Sequence, residues 1–261
     1  MNFTLYNYVL SGNCYKVRLM ASLLEVEYSI IAVDFHPGKA HKTEQFLQLN
    51  PAGTLPVLAT DDFVLTQSNA MLVWLAAKFD QSGQWLPTTN PTQFAKINQW
   101  LAFASGLSAT VGELRLHTML NQDIDAAKTR TASHDVMRQL ESHLCEQAIK
   151  GEKWLVGEHP TIADIACFPY AALSPDAGIE HDAYPAMRNW LYEIRSLKGF
   201  TTMPGIHALH ELKDRTPWGQ VLNCEFVIQL SENHQRFTTQ DLTLFFYFFL
   251  LEAGNQLRSI C

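Results

Sequence analysis

The chain has 261 residues, 47% of them hydrophobic and 17% charged, with a formal net charge of −7. That size suits one large or two ordinary globular domains, and the acidic balance argues against nucleic acid or an anionic membrane as partner. Five scattered cysteines without metal-ligand spacing fit a reduced, cytoplasmic setting, residues 1–8 read as a strand and not a signal peptide, and no apolar run reaches the roughly 18 residues of a membrane span.

Residues 3–6 alternate and are rich in strand formers, which predicts the first strand. Leu10-Ser11-Gly12-Asn13 breaks it. Val17, Met20, Ala21 and Leu24 then recur at helical spacing, predicting an amphipathic helix that opens near Asn13 or Cys14. A second apolar strand is expected over 28–33, a loop over 34–42 and a short helix over 43–49. Asn50-Pro51-Ala52-Gly53 is a turn cluster. Val57-Leu58-Ala59-Thr60 and Val64-Leu65 flank Asp61-Asp62 as a hairpin. Pro56 either enters its strand in trans or turns the chain sharply in cis, and the local sequence leaves both open. Thr66-Gln67-Ser68 supplies N-cap chemistry for a helix marked by Met71, Leu72, Leu75, Ala76 and Phe79. The order is βαβαββα over residues 1–80, and its opening βαβ unit requires parallel strands with a right-handed crossover.

Residues 81–91 are polar and rich in Gly and Pro, and read as a linker. Beyond them only helical periodicity occurs, over 92–111, 123–150, 161–173 and 184–197, so 92–214 is predicted to be an all-α domain. Thr161-Ile162-Ala163-Asp164 is a capping box, in which a hydroxyl and a carboxylate satisfy orphan N–H groups. Pro169 inside the same helix predicts a kink. Residues 215–261 form an extension of unknown role, whose apolar run 242–251 is too short to span a bilayer. His207 and His210 stand at i, i+3 with no third ligand in view, so no metal site is predicted.

The turn cluster, the Leu55-Pro56 pair, the hairpin and the helix opening at Gln67-Ser68 together resemble the second half of the thioredoxin-like domain of the cytosolic glutathione S-transferase family. The capping box resembles one that these proteins carry in their helical domain, so the likeness covers about residues 3–205. It implies an α/β thioredoxin-like domain followed by an all-α domain, glutathione as cosubstrate, no metal, a small electrophilic second substrate and a homodimer. It also implies a cis Pro56, with Thr54 and Leu55 beside it, offering backbone groups to the cysteinyl part of glutathione. Gln67 and Ser68 would hold the γ-glutamyl end, and His41 or Lys42 the glycyl carboxylate. Two residues depart from the commoner pattern. Gln67 replaces Glu, which removes a charge-assisted bond, and Thr54 is shorter than the usual Lys or Gln.

The stretch Leu5-Tyr6-Asn7-Tyr8-Val9-Leu10-Ser11-Gly12-Asn13-Cys14 resembles the Ser-type, theta-like and bacterial members, with Ser11 where the glutathione sulfur is met. A hydroxyl donating to a thiolate favours the charged form of a thiol whose ordinary pKa is about 8.5, and so does the positive end of a helix. Read locally, Ser11 is equally a helix cap. Asn13 is a second donor or a cap, and Ser68 a carboxylate ligand or a cap. Cys14 reads as packed and inert, Tyr6 and Tyr8 as packing. The electrophile pocket is expected along Leu107, Val111, Leu114, Arg115 and His117, with Arg115 and His117 either orienting a polar substrate or, the favoured reading, lying on the helix surface. The expected function is a glutathione S-transferase with a peroxidase side activity; the alternative is a non-catalytic glutathione-binding or regulatory protein on the same fold. A thiol-disulfide reductase would need a cysteine where Ser11 stands.

Overall fold

The computed structural model describes residues 3–207; the extension 215–261, its run 242–251 and His210 lie outside the described residues. The first half contains β1 (Thr4–Asn7), α1 (Gly12–Leu23), β2 (Ser29–Ala32), a 3-10 turn (Ala40–Lys42), α2 (Glu44–Leu49), β3 (Val57–Ala59), β4 (Val64–Leu65) and α3 (Ser68–Phe79). This is the predicted βαβαββα order. The sheet runs β2-β1-β3-β4, with β1 parallel to β2 and antiparallel to β3, and β3 antiparallel to β4. Strand alternation sorts its two faces. Leu5 and its partner Leu58 join the core beneath α1 and α3, whereas Tyr6 and its partner Val57 pack with Val33 and Phe46 of α2. The sheet is therefore covered by α1 and α3 on one side and α2 on the other.

β2 forms as expected but lies open to solvent. All four of its residues are exposed, Ile30 and Ile31 included, because it is the edge of the sheet and no helix covers it. An apolar run identified the strand but not its burial.

The second half is helical: α4 (Pro91–Leu107), a π-helical turn (Ser108–Gly112), α5 (Glu113–Leu120), α6 (Ala126–Ile149), α7 (Ile162–Ala172) and α8 (Pro185–Arg195), with short 3-10 turns before α8. α4 opens on Asn90, whose Oδ1 accepts from the Gln93 N–H at 3.1 Å, with Pro91 in the first turn, where a missing N–H costs nothing. The run predicted to end at residue 111 continues through the π turn to Leu120. α7 crosses Pro169 without interruption, and all eleven of its residues are buried. A helix apolar all round belongs at the centre of a core, and α7 packs on both α1 and α4. One continuous apolar cluster joins the sheet's inner face to the helical half.

The capping box forms as predicted and extends further than the motif alone indicates. Asp164 accepts from the Thr161 N–H and hydroxyl at the start of α7, from the Leu155 N–H and from the indole of Trp190 in α8.

A lysine is also buried in this core. Lys16 of α1 is 1% exposed, its Nζ lies 3.4 Å from Asn69 Oδ1, and no carboxylate pairs with it among the described residues. Burial lowers its pKa from 10.5 to about 8. A base with a depressed folded pKa binds fewer protons than the unfolded chain between those two values, so its effect on stability becomes more favourable as pH rises through that window. We expect Lys16→Met to be more stable than the native protein near neutrality, and the difference to shrink by up to about 3 kcal/mol as pH rises from about 8 to above 10. Urea unfolding of both proteins across that range measures it. A difference that does not vary with pH would show that Lys16 titrates normally.

Candidate functional site

The end of β1 delivers a short loop to the N-terminus of α1. Ser11 is the cap of that helix, with φ −78 and ψ 120, and its Oγ accepts from the Cys14 N–H at 3.2 Å. This bond uses an acceptor lone pair of the hydroxyl and leaves its proton for another acceptor, so capping and donation are compatible. The hydroxyl is half-buried at the positive end of α1, where an anion is favoured. Cys14 is fully buried. Its Sγ accepts from the Tyr8 N–H, and burial pushes the thiol up, although the Ser11 contact and two weaker influences oppose the shift. Tyr6 meets Phe46 and Tyr8 meets Phe35, so both tyrosines pack.

Ser68 begins α3 at its first residue, while Gln67 occupies the cap position without a side-chain cap. The expected capping role of Ser68 is thus corrected. Its Oγ instead donates to Asn13 Oδ1 at 3.2 Å, and Asn13 Nδ2 donates to Ser108 Oγ of the π turn at 3.0 Å. Asn13 does not cap α1 either, since Ser11 does. The start of α3 therefore keeps backbone N–H groups with no side-chain acceptor, beside a hydroxyl and an exposed Gln67 amide. Tyr170 of α7 closes this corner from below. Its ring fits against Gly12 and Gly112, where added Cβ atoms would stand 2.9 and 2.8 Å from it.

The Leu55-Pro56 bond is cis. Thr54 is exposed, and its Oγ1 and carbonyl both accept from the side chain of Asn50, which also binds the Ala52 N–H and so shapes the turn. Gly53, at φ +57, packs so closely that a Cβ would lie 2.9 Å from the His41 carbonyl and from Lys42 Nζ. Lys42 is exposed and donates to the Gly53 carbonyl at 3.0 Å. His41 is buried and stacks on Phe35 at 4.2 Å, and its Nδ1 has no hydrogen-bond partner among the described residues. Burial, then the charges of Lys42 and Lys39, hold its pKa below the ordinary histidine value. That direction favours the neutral ring.

The expected pocket along the helical half needs correction. Leu107, Val111 and Leu114 are completely buried, because the apolar stripe of this run is its core face. Arg115 is no surface residue: it is 3% exposed, and its Nε meets Asp176 Oδ2 at 2.8 Å while its Nη1 meets the Leu10 carbonyl at 2.6 Å. His117 faces the Gln122 carbonyl through Nδ1 at 2.8 Å and so closes the end of α5. Among the described residues no group of three or more His, Cys, Asp or Glu could hold a metal, and no helix is long and apolar enough to cross a membrane.

Comparison with known proteins agrees with this geometry. Residues 1–77 match the family model "Glutathione S-transferase, N-terminal domain", and residues 109–198 match "Glutathione S-transferase, C-terminal domain". Glutathione S-transferase 3 of Zea mays is 31% identical over 166 residues, covering 61% of this chain and 72% of that one. The disulfide-bond oxidoreductase YfcG of Escherichia coli is 29% identical over 197 residues, covering 70% and 86%. The crystal structure of a glutathione S-transferase from Pseudomonas fluorescens superposes with a TM-score of 0.70 at 29% identity, covering 78% of this chain and all of that one. With a Ser-capped helix, a cis-proline loop and a buried capping box on a fold shared with these proteins, the chain belongs to the glutathione S-transferase family.

Proposed function

We propose that the chain is a Ser-type glutathione S-transferase in which Ser11 stabilises the glutathione thiolate. The observation that carries this reading is the Ser11 hydroxyl, which caps α1 with a lone pair while its proton remains available, one helix start away from Ser68. The thiol proton goes to solvent. The thiolate attacks an electrophilic carbon, a C–S bond forms, and the leaving group departs with its electron pair. Ser11 acts only as a donor and the α1 N-terminus adds its field, so no general base is required. The same thiolate attacking a peroxide oxygen would give the side activity.

In this reading residues 1–80 take glutathione and 92–214 the electrophile, across the linker 81–91. Ser68 and the uncapped start of α3 bind the γ-glutamyl carboxylate, and Gln67 accepts from its α-amino group. Leu55, preceded by Thr54 and held by the cis Pro56, presents its backbone to the cysteinyl part. Lys42 supplies the charge for the glycyl carboxylate, and His41 beside it stays neutral. Asn13 holds Ser68 and adds a second donor near the sulfur. The protein works as a cytoplasmic homodimer.

Calorimetric titration with reduced glutathione tests the site. We expect saturable binding that weakens about tenfold in Ser68→Ala, the scale of one hydrogen bond to a charged group. No binding up to about millimolar ligand, or equal binding in the variant, would overturn the assignment. A second reading is favoured by the exposed, uncharged Gln67: a glutathione-binding protein without transferase activity. It predicts the same titration but no glutathione-dependent product from an electrophile panel. The panel should include a disulfide, given the activity named for the Escherichia coli relative.

A further inference from the structure

The peptide plane that ends at Ser11 is held from both sides. On one side the Ser11 N–H donates to the Tyr8 carbonyl at 3.1 Å. On the other the Leu10 carbonyl, in the same plane, accepts from Arg115 Nη1 at 2.6 Å. The preceding Val9 carbonyl accepts from Arg18 Nη2 at 2.9 Å. Fixing that plane sets the Ser11 N and Cα, and the Ser11 carbonyl, accepting from the Tyr15 N–H at 2.9 Å, holds φ at −78, so the direction of the Cα–Cβ bond is set and only rotation about it remains. Arg115 is itself anchored by Asp176, in the short turn after α7, and the chain passes close over that carboxylate at Gly205, where a Cβ would stand 2.6 Å from Asp176 Oδ2.

A buried guanidinium is an expensive way to hold a loop, and this one leaves Nη2 buried without a hydrogen-bond partner among the described residues. Stability alone does not account for such a residue. We propose that Arg115 is a positioning residue for Ser11: it carries the rigidity of the helical half into the catalytic loop through the Leu10 carbonyl. This rests on the reading that Ser11 stabilises the thiolate. A displacement of a fraction of an ångström at Ser11 is enough to lengthen a charge-assisted hydrogen bond and raise the pKa of the bound thiol.

The test is the pKa of enzyme-bound glutathione, read from the ultraviolet absorbance of its thiolate against pH, with kcat and KM measured alongside. The proteins are the native chain, Ser11→Ala, Arg115→Met and the double variant. Arg115→Met should raise the bound thiol pKa by about one unit and lower kcat about tenfold near neutrality, with KM for glutathione little changed. The deficit should shrink as pH passes the thiol pKa. In the Ser11→Ala background, Arg115→Met should add nothing, because its effect runs through Ser11.

A further rise in that background would show direct action of the Arg115 charge and overturn the positioning route. A normal thiol pKa in Arg115→Met, with a raised one in Ser11→Ala, would overturn this inference alone. A normal pKa in Ser11→Ala would overturn both readings. Should Arg115→Met fail to fold, Asp176→Asn keeps an acceptor for Arg115 but loses the ion pair; a smaller rise is then expected, and no rise would overturn the proposal.

Discussion

Ser11→Ala is expected to raise the pKa of bound glutathione and to lower turnover near neutrality by at least about tenfold, while glutathione still binds. The substitution also removes the cap of α1, which costs about 1 kcal/mol on its own. Ser11→Asp separates the two effects. An aspartate caps as well as a serine does, so the Cys14 N–H keeps its acceptor. Ionised at neutral pH, it has no proton to give and repels a thiolate. The Asp variant should therefore retain more stability than the Ala variant and turn over more slowly still. Urea midpoints and turnover measured on the same preparations make the comparison. Native turnover in Ser11→Ala would remove Ser11 from the mechanism, and a loss that follows stability across both variants would reduce it to a cap.

The largest expected loss of stability lies far from the sulfur. Asp164→Ala strands the Leu155 N–H, the Thr161 N–H and hydroxyl and the Trp190 indole, all buried, at distances of 3.0, 2.8, 3.3 and 2.9 Å from the lost oxygens. Burial pushes the Asp164 carboxyl up, and its hydrogen bonds oppose that shift. Each buried donor left without an acceptor costs about 1–3 kcal/mol, so losing this acceptor takes a large share of the roughly 5–15 kcal/mol that holds a domain together. Thr161→Ala gives up only one part of the box and should cost about 1 kcal/mol. Urea unfolding of the two variants tests the ranking. An Asp164→Ala protein no less stable than Thr161→Ala would show that the network contributes no more than an ordinary cap.

Much of this was legible in sequence wherever the governing interaction is local. The βαβαββα order follows from alternation, turn residues and helical spacing, and the capping box from four consecutive residues. What failed depends on partners distant along the chain. Arg115 looks like a surface residue because its partners, Asp176 and the Leu10 carbonyl, are 61 and 105 residues away. Lys16 gives no local sign that α7 closes over it. The apolar run 28–33 marks a strand but not that Ile30 and Ile31 stay exposed, because an edge strand differs from a covered one only in its neighbours. Ser68 and Gln67 are both plausible at a helix start, and one residue of register decided which became the cap.

The π turn Ser108–Gly112 has a consequence for how the rod from Pro91 to Leu120 is phased. Each residue of an α-helix advances about 100° around its axis and about 1.5 Å along it. The wider turn takes up one residue more than an ordinary turn would. Were the same residues wound there as a regular α-helix, everything beyond would be turned by about 100° and pushed on by about 1.5 Å. Ser108 would still face Asn13, but the guanidinium now on the Leu10 carbonyl would point elsewhere. By absorbing the surplus residue, the wide turn lets one continuous rod meet the segment from Leu10 to Asn13 at two points, and the rod's length is thereby as constrained as any side chain on it.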